Sequence, residues 1–224
     1  GVLVRRPVAP TVRAKEGARL RGVVQPPATV DGDVPRVVAV EVVVRLAAIV
    51  YKDIDPNCDD LSQRPIERID FTTDTCRAQD FLESIKPEGG GDIPEDMFAG
   101  LDELLRLSWV ETSTRLAFVI ADAPCHGSRF HPFPDSFPEE PDPHGLTCEN
   151  ILSGLDNLSI HLYFPYINAT TMQMIGEFQR TNLLNTVKGI HFDDGEEELK
   201  QHKLVTRLQA IIKDEVSDLL TTSI

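Results

Sequence analysis

The chain has 224 residues, 41% hydrophobic and 26% charged, with 22 Lys and Arg against 36 Asp and Glu and a net charge of −14. That length suits one domain, or a domain with a tail, and the acidity argues against binders of nucleic acid or anionic lipid, which need Lys and Arg to neutralise phosphate. No run reaches the roughly 18 apolar residues of a membrane span, because Glu41 and Arg45 interrupt the longest stretch, 37–50. Residues 1–6 show no apolar leader with a small-residue cleavage site. Cys58, Cys76, Cys125 and Cys148 are too sparse for a disulfide scaffold and contain no CxxC pair for structural zinc.

Charge is unevenly spread: residues 1–46 sum to +4 and the remainder to −18. The first 35 residues are rich in Val, Ala, Arg and Pro and lack aromatic residues. They read as a poorly ordered lead-in to a globular domain over 36–224. The β-branched run 37–51 predicts a strand buried on both faces, closed by a polar loop, 53–64. Residues 66–72 read as a short edge strand, and 77–85 as a helix carrying Phe81, Leu82 and Ile85 on one side.

A glycine loop, Pro87-Glu-Gly-Gly-Gly-Asp-Ile-Pro-Glu-Asp96, leads into a helix to about 107, with Asp92 placed to cap it and Met97, Leu101, Leu104 and Leu105 in its buried stripe. Residues 115–121, RLAFVIA, predict a central strand that ends in Asp122-Ala-Pro-Cys-His-Gly127. Five prolines and repeated acids make 128–146 a surface excursion. A helix (147–158), a strand (160–167), a helix (170–179), a strand (187–192) and an amphipathic helix (197–220) follow. Strands alternating with helices predict an α/β sheet flanked by helices on both faces, doubly wound and mostly parallel.

Ligands of such sheets gather outside the carboxyl ends of the strands. Asp53, Asp92 and Asp122 fall in three loops at that rim, and hard divalent cations take oxygen ligands. Each has a plainer role open to it. Asp92 suits a helix cap and Asp53 a turn, whereas Asp122 directly follows an apolar strand. Cys125-His126 lacks further ligands at zinc spacing and reads as loop packing, and the acids of 193–198 read as a solvated stretch. GxSxG, GxxxxGK[ST], HExxH and GxGxxG are all absent from the sequence, so nothing supports catalysis.

The runs EGGGDIPEDMFAGLDELLRLSW and TRLAFVIADAPCHG, with VRLAAIVYKDID, IDFTTD and IHLYFPYINATTMQMIGEF around them, resemble the von Willebrand factor A-like domain of alpha-type (atypical) protein kinases and related eukaryotic proteins. The resemblance covers roughly 43–180. It implies a Rossmann-like doubly wound sheet with one antiparallel edge strand and a metal-ion-dependent adhesion site, usually holding Mg²⁺ (or Mn²⁺ or Ca²⁺), that a partner's carboxylate completes. By position it assigns Asp122 to the third metal loop, Asp92 to the second and Asp53 to the rim.

One part of that pattern is missing. The DxSxS loop should precede VRLAAIV, yet residues 1–61 contain no serine. The first strand and helix are therefore missing or replaced, with 20–24 a candidate for the empty central slot, and metal affinity is expected to be weak or absent. The resemblance further implies a non-catalytic interaction module for a protein partner, basic or carboxylate-presenting. The alternative is an accessory domain of an alpha-type serine/threonine kinase whose catalytic domain lies outside this chain. Kinase-linked relatives and the absent leader favour the cytoplasm. The sequons Asn157-Leu-Ser159 and Asn168-Ala-Thr170, with extracellular relatives, keep secretion open.

Overall fold

The computed structural model describes residues 19–24, 38–54, 66–86, 90–184, 186–190, 205–215 and 217. It is a mixed α/β protein built on a three-stranded parallel sheet. Strand β1 (Arg19–Val24) pairs antiparallel with β2 (Val38–Val43). A second antiparallel pair joins β3 (Leu46–Val50) to β4 (Glu67–Thr72). Helices α1 (Thr75–Ser84) and α2 (Met97–Leu105) come next, then β5 (Arg115–Phe118), α3 (Cys148–Asn157), β6 (Ile160–Pro165), a short 3₁₀ turn at Ala169–Thr171, α4 (Met172–Thr181) and β7 (Val187–Ile190). Residues 205–215 form a closing helix.

β5, β6 and β7 lie side by side in chain order and parallel, with α3 and α4 as the crossovers such connections require. Side chains alternate along β6. Ile160, Leu162 and Phe164 enter the main core with α2, α3 and α4. Tyr163 and His161 take the opposite face, where Tyr163 donates to Glu215 Oε1 at 2.6 Å and His161 Nδ1 lies 3.3 Å from the same oxygen. The closing helix thus docks on the second face by polar contacts. Phe98, Phe130, Phe164 and Phe178 form the aromatic centre of the core, with ring centroids 5.4–6.1 Å apart, a spacing that favours tilted and edge contacts.

Local chemistry sets the element ends. Asp74 accepts from the amides of Cys76 and Arg77 and starts α1. Asp96, not Asp92, caps α2 by accepting from Ala99 N at 3.2 Å. Residues 91–93 bend there, and the chain then pairs across the fold: Glu95 N donates to Pro124 O at 2.9 Å and Glu95 bridges Cys125 in parallel. That bridge postpones the helix by one turn. On α1 the buried residue is Ala78, whereas Leu82 is exposed.

The expected strand 37–51 breaks into β2 and β3 at Val44-Arg45, and β3 is half-buried rather than enclosed on both faces. Within the expected lead-in, Arg19–Val24 is a strand; it pairs with β2 in a sheet of its own and does not join β5–β6–β7. Among the described residues β3–β4 and β5–β6–β7 remain separate sheets. The rest of the lead-in, residues 55–65, the acids of 193–198 and the ends of the expected closing helix lie outside the described residues. No described helix is long and apolar enough to cross a membrane.

The excursion 128–146 lacks regular structure, as its prolines predict, but it is not a surface loop throughout. Phe130 and His131 are fully buried. Asp142 Oδ1 accepts from the amides of His144 and Leu146, and the His144 ring reaches Asp96 at 2.9 Å. The segment folds back over the rim of the sheet.

Candidate functional site at the carboxyl rim of the strands

Three segments converge where β3 and β5 end. Asp53 follows β3, Asp92 sits in the glycine loop before α2, and His126 lies beyond β5; one ligand atom from each falls within 4.8 Å of the others. Asp53 Oδ1 accepts from Ile54 N at 2.7 Å and faces His126 Nε2 at 2.9 Å, while Oδ2 accepts from Gly91 N at 3.0 Å. The glycine loop comes this close because Gly90 has no side chain: a Cβ there would stand 2.0 Å from Asp53 Oδ2. On the other side of the imidazole, Asp135 Oδ1 lies 2.7 Å from His126 Nδ1. Asp135 also accepts from Gly127 N at 2.8 Å and Phe137 N at 2.8 Å. Gly127 has φ +111°, a backbone state that side chains disfavour.

The side chains of Asp53, His126 and Asp135 are each no more than 4% exposed. Burial pulls the His126 pKa down, but hydrogen bonds to Asp53 and Asp135 and the charge of both carboxylates outweigh it and raise the value to about 9. Burial likewise works against ionised Asp135, yet the amides of Gly127 and Phe137 and the imidazole hold its pKa below the usual carboxylate value. Glu95 has the opposite balance. Burial, then the charges of Asp53 and Asp122, push it up to about 7. Burial, with Glu95 as the next cause, raises the Tyr51 phenol far above its ordinary range; its ring packs on Gly100 of α2.

Of the acids expected at the site, Asp53 and Asp92 come together and Asp122 does not join their group. The Asp122 side chain is exposed, and its backbone carbonyl accepts from Asn168 Nδ2 at 2.7 Å and Thr170 Oγ1 at 2.6 Å. The sequon residue Asn168 thus uses its amide to tie two rim loops together. Sequence reasoning read His126 as loop packing and gave Asp135 and Glu95 no part in the site. The signal for His126 was its place just beyond a buried strand; nothing in the local sequence marks Asp135, nine residues on, as its partner.

A hard divalent ion takes about six to eight oxygens. Both Asp53 oxygens are engaged here, Asp92 Oδ2 accepts from Ser136 N at 2.7 Å, and both His126 nitrogens face carboxylates. Asp92 Oδ1 is buried without a hydrogen-bond partner and is the one uncommitted acceptor of the group. A nitrogen donor also suits Mg²⁺ poorly. As arranged, these residues do not fit a Mg²⁺ centre.

No family model matches the chain. Over 149 residues, 65% of this chain, it is 34% identical to Alpha-protein kinase vwkA of Dictyostelium discoideum. It is a partial homologue of that kinase. The match covers 24% of the kinase's length, so the chain spans about a quarter of that relative.

Proposed function

We propose that this chain is a non-catalytic protein-interaction module of the von Willebrand factor A type, accessory to an alpha-type kinase, whose carboxyl rim receives a protein partner. The observation that carries the reading is the convergence of loops after β3, before α2 and after β5 on one small, strongly acidic rim. Order β5–β6–β7 with helical crossovers is compatible with the Rossmann-like parallel sheet of that type. Similarity to a protein named as an alpha-kinase supports the accessory role.

The partner surface is the acidic rim around Glu95 and Asp122, flanked by Ile93 (46% exposed) and Ile120 (58% exposed). Carboxylates beside exposed apolar side chains suit a basic protein segment with its own apolar anchors. Divalent-ion binding is weak or absent, because every donor of the group but Asp92 Oδ1 is held by another partner. The chain alone transfers no phosphate.

The test is retention of a partner on immobilised wild-type protein against Asp122→Lys with Glu95→Lys, with a substitution on the closing helix, Lys213→Glu, as control. Loss with the rim variant alone supports the reading. Equal retention by all three refutes it. Titration calorimetry with Mg²⁺ is expected to show at most millimolar binding, and an autophosphorylation assay no turnover above buffer.

A further inference from the structure

We propose that β3 and β5 take up between them an extended segment of a partner protein, which pairs with both edges by main-chain hydrogen bonds and joins the two sheets into one. The strands are aligned for it. At their carboxyl ends Asp53, beyond β3, faces His126, beyond β5, at 2.9 Å. At their amino ends the connection 106–114 reaches both: Ser108 O accepts from Arg45 Nη1 at 3.5 Å and Val110 O from Arg115 Nη2 at 3.0 Å. β3 and β5 therefore run in the same direction and are tied at both ends, yet among the described residues no backbone hydrogen bond joins them. Helix α2 backs the pair. Its Gly100 packs on Tyr51, just after β3, while Met97 and Leu101 share the core with Ala117 and Val119.

Composition sets these two edges apart from the outer ones. Strands β4 and β7 carry Glu67, Arg68, Asp70 and Lys188, charges of the kind that keep an edge from pairing. β3 reads LAAIV and residues 116–121 read LAFVIA, without a charge. Val119 N donates to Tyr163 O, so alternate backbone groups of β5 face β6 and those of Leu116 and Phe118 face away from it. Backbone donors and acceptors beside half-buried apolar side chains favour an occupant that can pair with them. An extended main chain does so at both edges, and its hydrogen bonds supply affinity largely independent of its sequence.

The surroundings then choose the segment's side chains. Those that point at α2 must be small, because Met97 and Leu101 are already covered, at 0% and 4% exposure. Those on the opposite face join Phe118, half-buried, and Ile120, which is exposed. The end that reaches the rim meets Glu95 and Asp122, so basic residues belong there. That basic end rests on the interaction reading above; the pairing rests on the two edges.

Amide hydrogen exchange in the whole chain reads the edges directly. In the free protein Leu116 and Phe118 are expected to exchange at least about tenfold faster than Ala117 and Val119, which face β6. The probe is a synthetic peptide of about six alternating alanine and valine residues, made with lysines at either terminus so that parallel and antiparallel entry are both tested. One of the two is expected to slow Leu116 and Phe118 at least about tenfold and to leave Ile211 and Ile212 of the closing helix unchanged. The same peptide N-methylated at alternate amides keeps its side chains and charge, and is expected to bind at least about tenfold more weakly. Slow exchange at both residues in the free, dilute chain overturns the proposal, because the edge is then already paired. No slowing at millimolar peptide overturns it too, as does equal binding of the methylated form. With Glu95→Lys and Asp122→Lys combined, slowing at weaker affinity supports the pairing and the acidic rim together, whereas slowing at unchanged affinity supports the pairing and removes the rim.

Discussion

A methyl group at Gly90 would meet the Asp53 carboxylate at 2.0 Å and its Cβ at 2.1 Å, inside any permitted contact. Asp53 cannot retreat freely, because Ile54 N, Gly91 N and the His126 ring all hold it. Gly90→Ala should therefore break the Asp53–His126 contact and cost about 1–3 kcal/mol of stability. Gly176 in α4 is the matched control: it is exposed, and a Cβ there meets nothing within 4 Å. Gly176→Ala should be neutral or stabilise by about 0.5–1 kcal/mol, as helix propensity dictates. Urea melts of the two variants beside wild type check both signs. The pair also shows what a sequence conveys at this scale. The run of three glycines announces close backbone approach, but the residue approached lies 38 positions away and cannot be read from the run.

Among the elements, the excursion 128–146 departs most from its composition. Proline and acid content predict a solvated loop, yet Phe130 has no exposure and lies 5.7 Å from Phe98 and 5.8 Å from Phe178 between ring centroids. Phe130→Ala should therefore behave as a core truncation and cost about 3–5 kcal/mol, whereas Phe133→Ala, half-buried on the same segment, should cost markedly less. Chemical denaturation separates the two. Hydrophobic period made α3, β6 and α4 legible, because each lays an apolar face against one core. It could not place Phe130, since a residue in irregular backbone has no period to declare it. The start of α2 lies a turn beyond its expected cap. Asp92 was placed to cap, and Asp96 takes that role because Glu95 pairs with Cys125, a contact made across the fold. At the site, Asp53 was legible as an acid at a strand end and Asp92 as the acid of the glycine loop, while the role of His126 depends on Asp135, whose position only the folded excursion fixes.

At the scale of the whole molecule, two separate sheets are tied at their rim by charge, so stability should depend on pH through a few groups in separable windows. The folded-state pKa of His126, about 9, is above its ordinary 6.5. Its contribution is complete below about 6.5 and is lost as pH rises through 9, by an amount on the order of 1–3 kcal/mol. Glu95 is a carboxyl raised from 4.5 to about 7, so its ionisation also costs stability on the alkaline side, over a lower window between those values. Asp135 opposes them: its lowered value means that stability is lost as pH falls through the acid range. Stability should peak in mildly acid solution and decline in two steps towards alkaline pH. Urea midpoints measured across that span should show His126→Gln removing the upper step and Glu95→Gln removing the lower, with the lower step moved to higher pH in His126→Gln because the imidazolium charge no longer favours ionised Glu95. A wild-type profile without a step between neutral pH and about 9, and with a rise confined to the range below about 6.5, would mean that burial, rather than the two carboxylates, governs the ring.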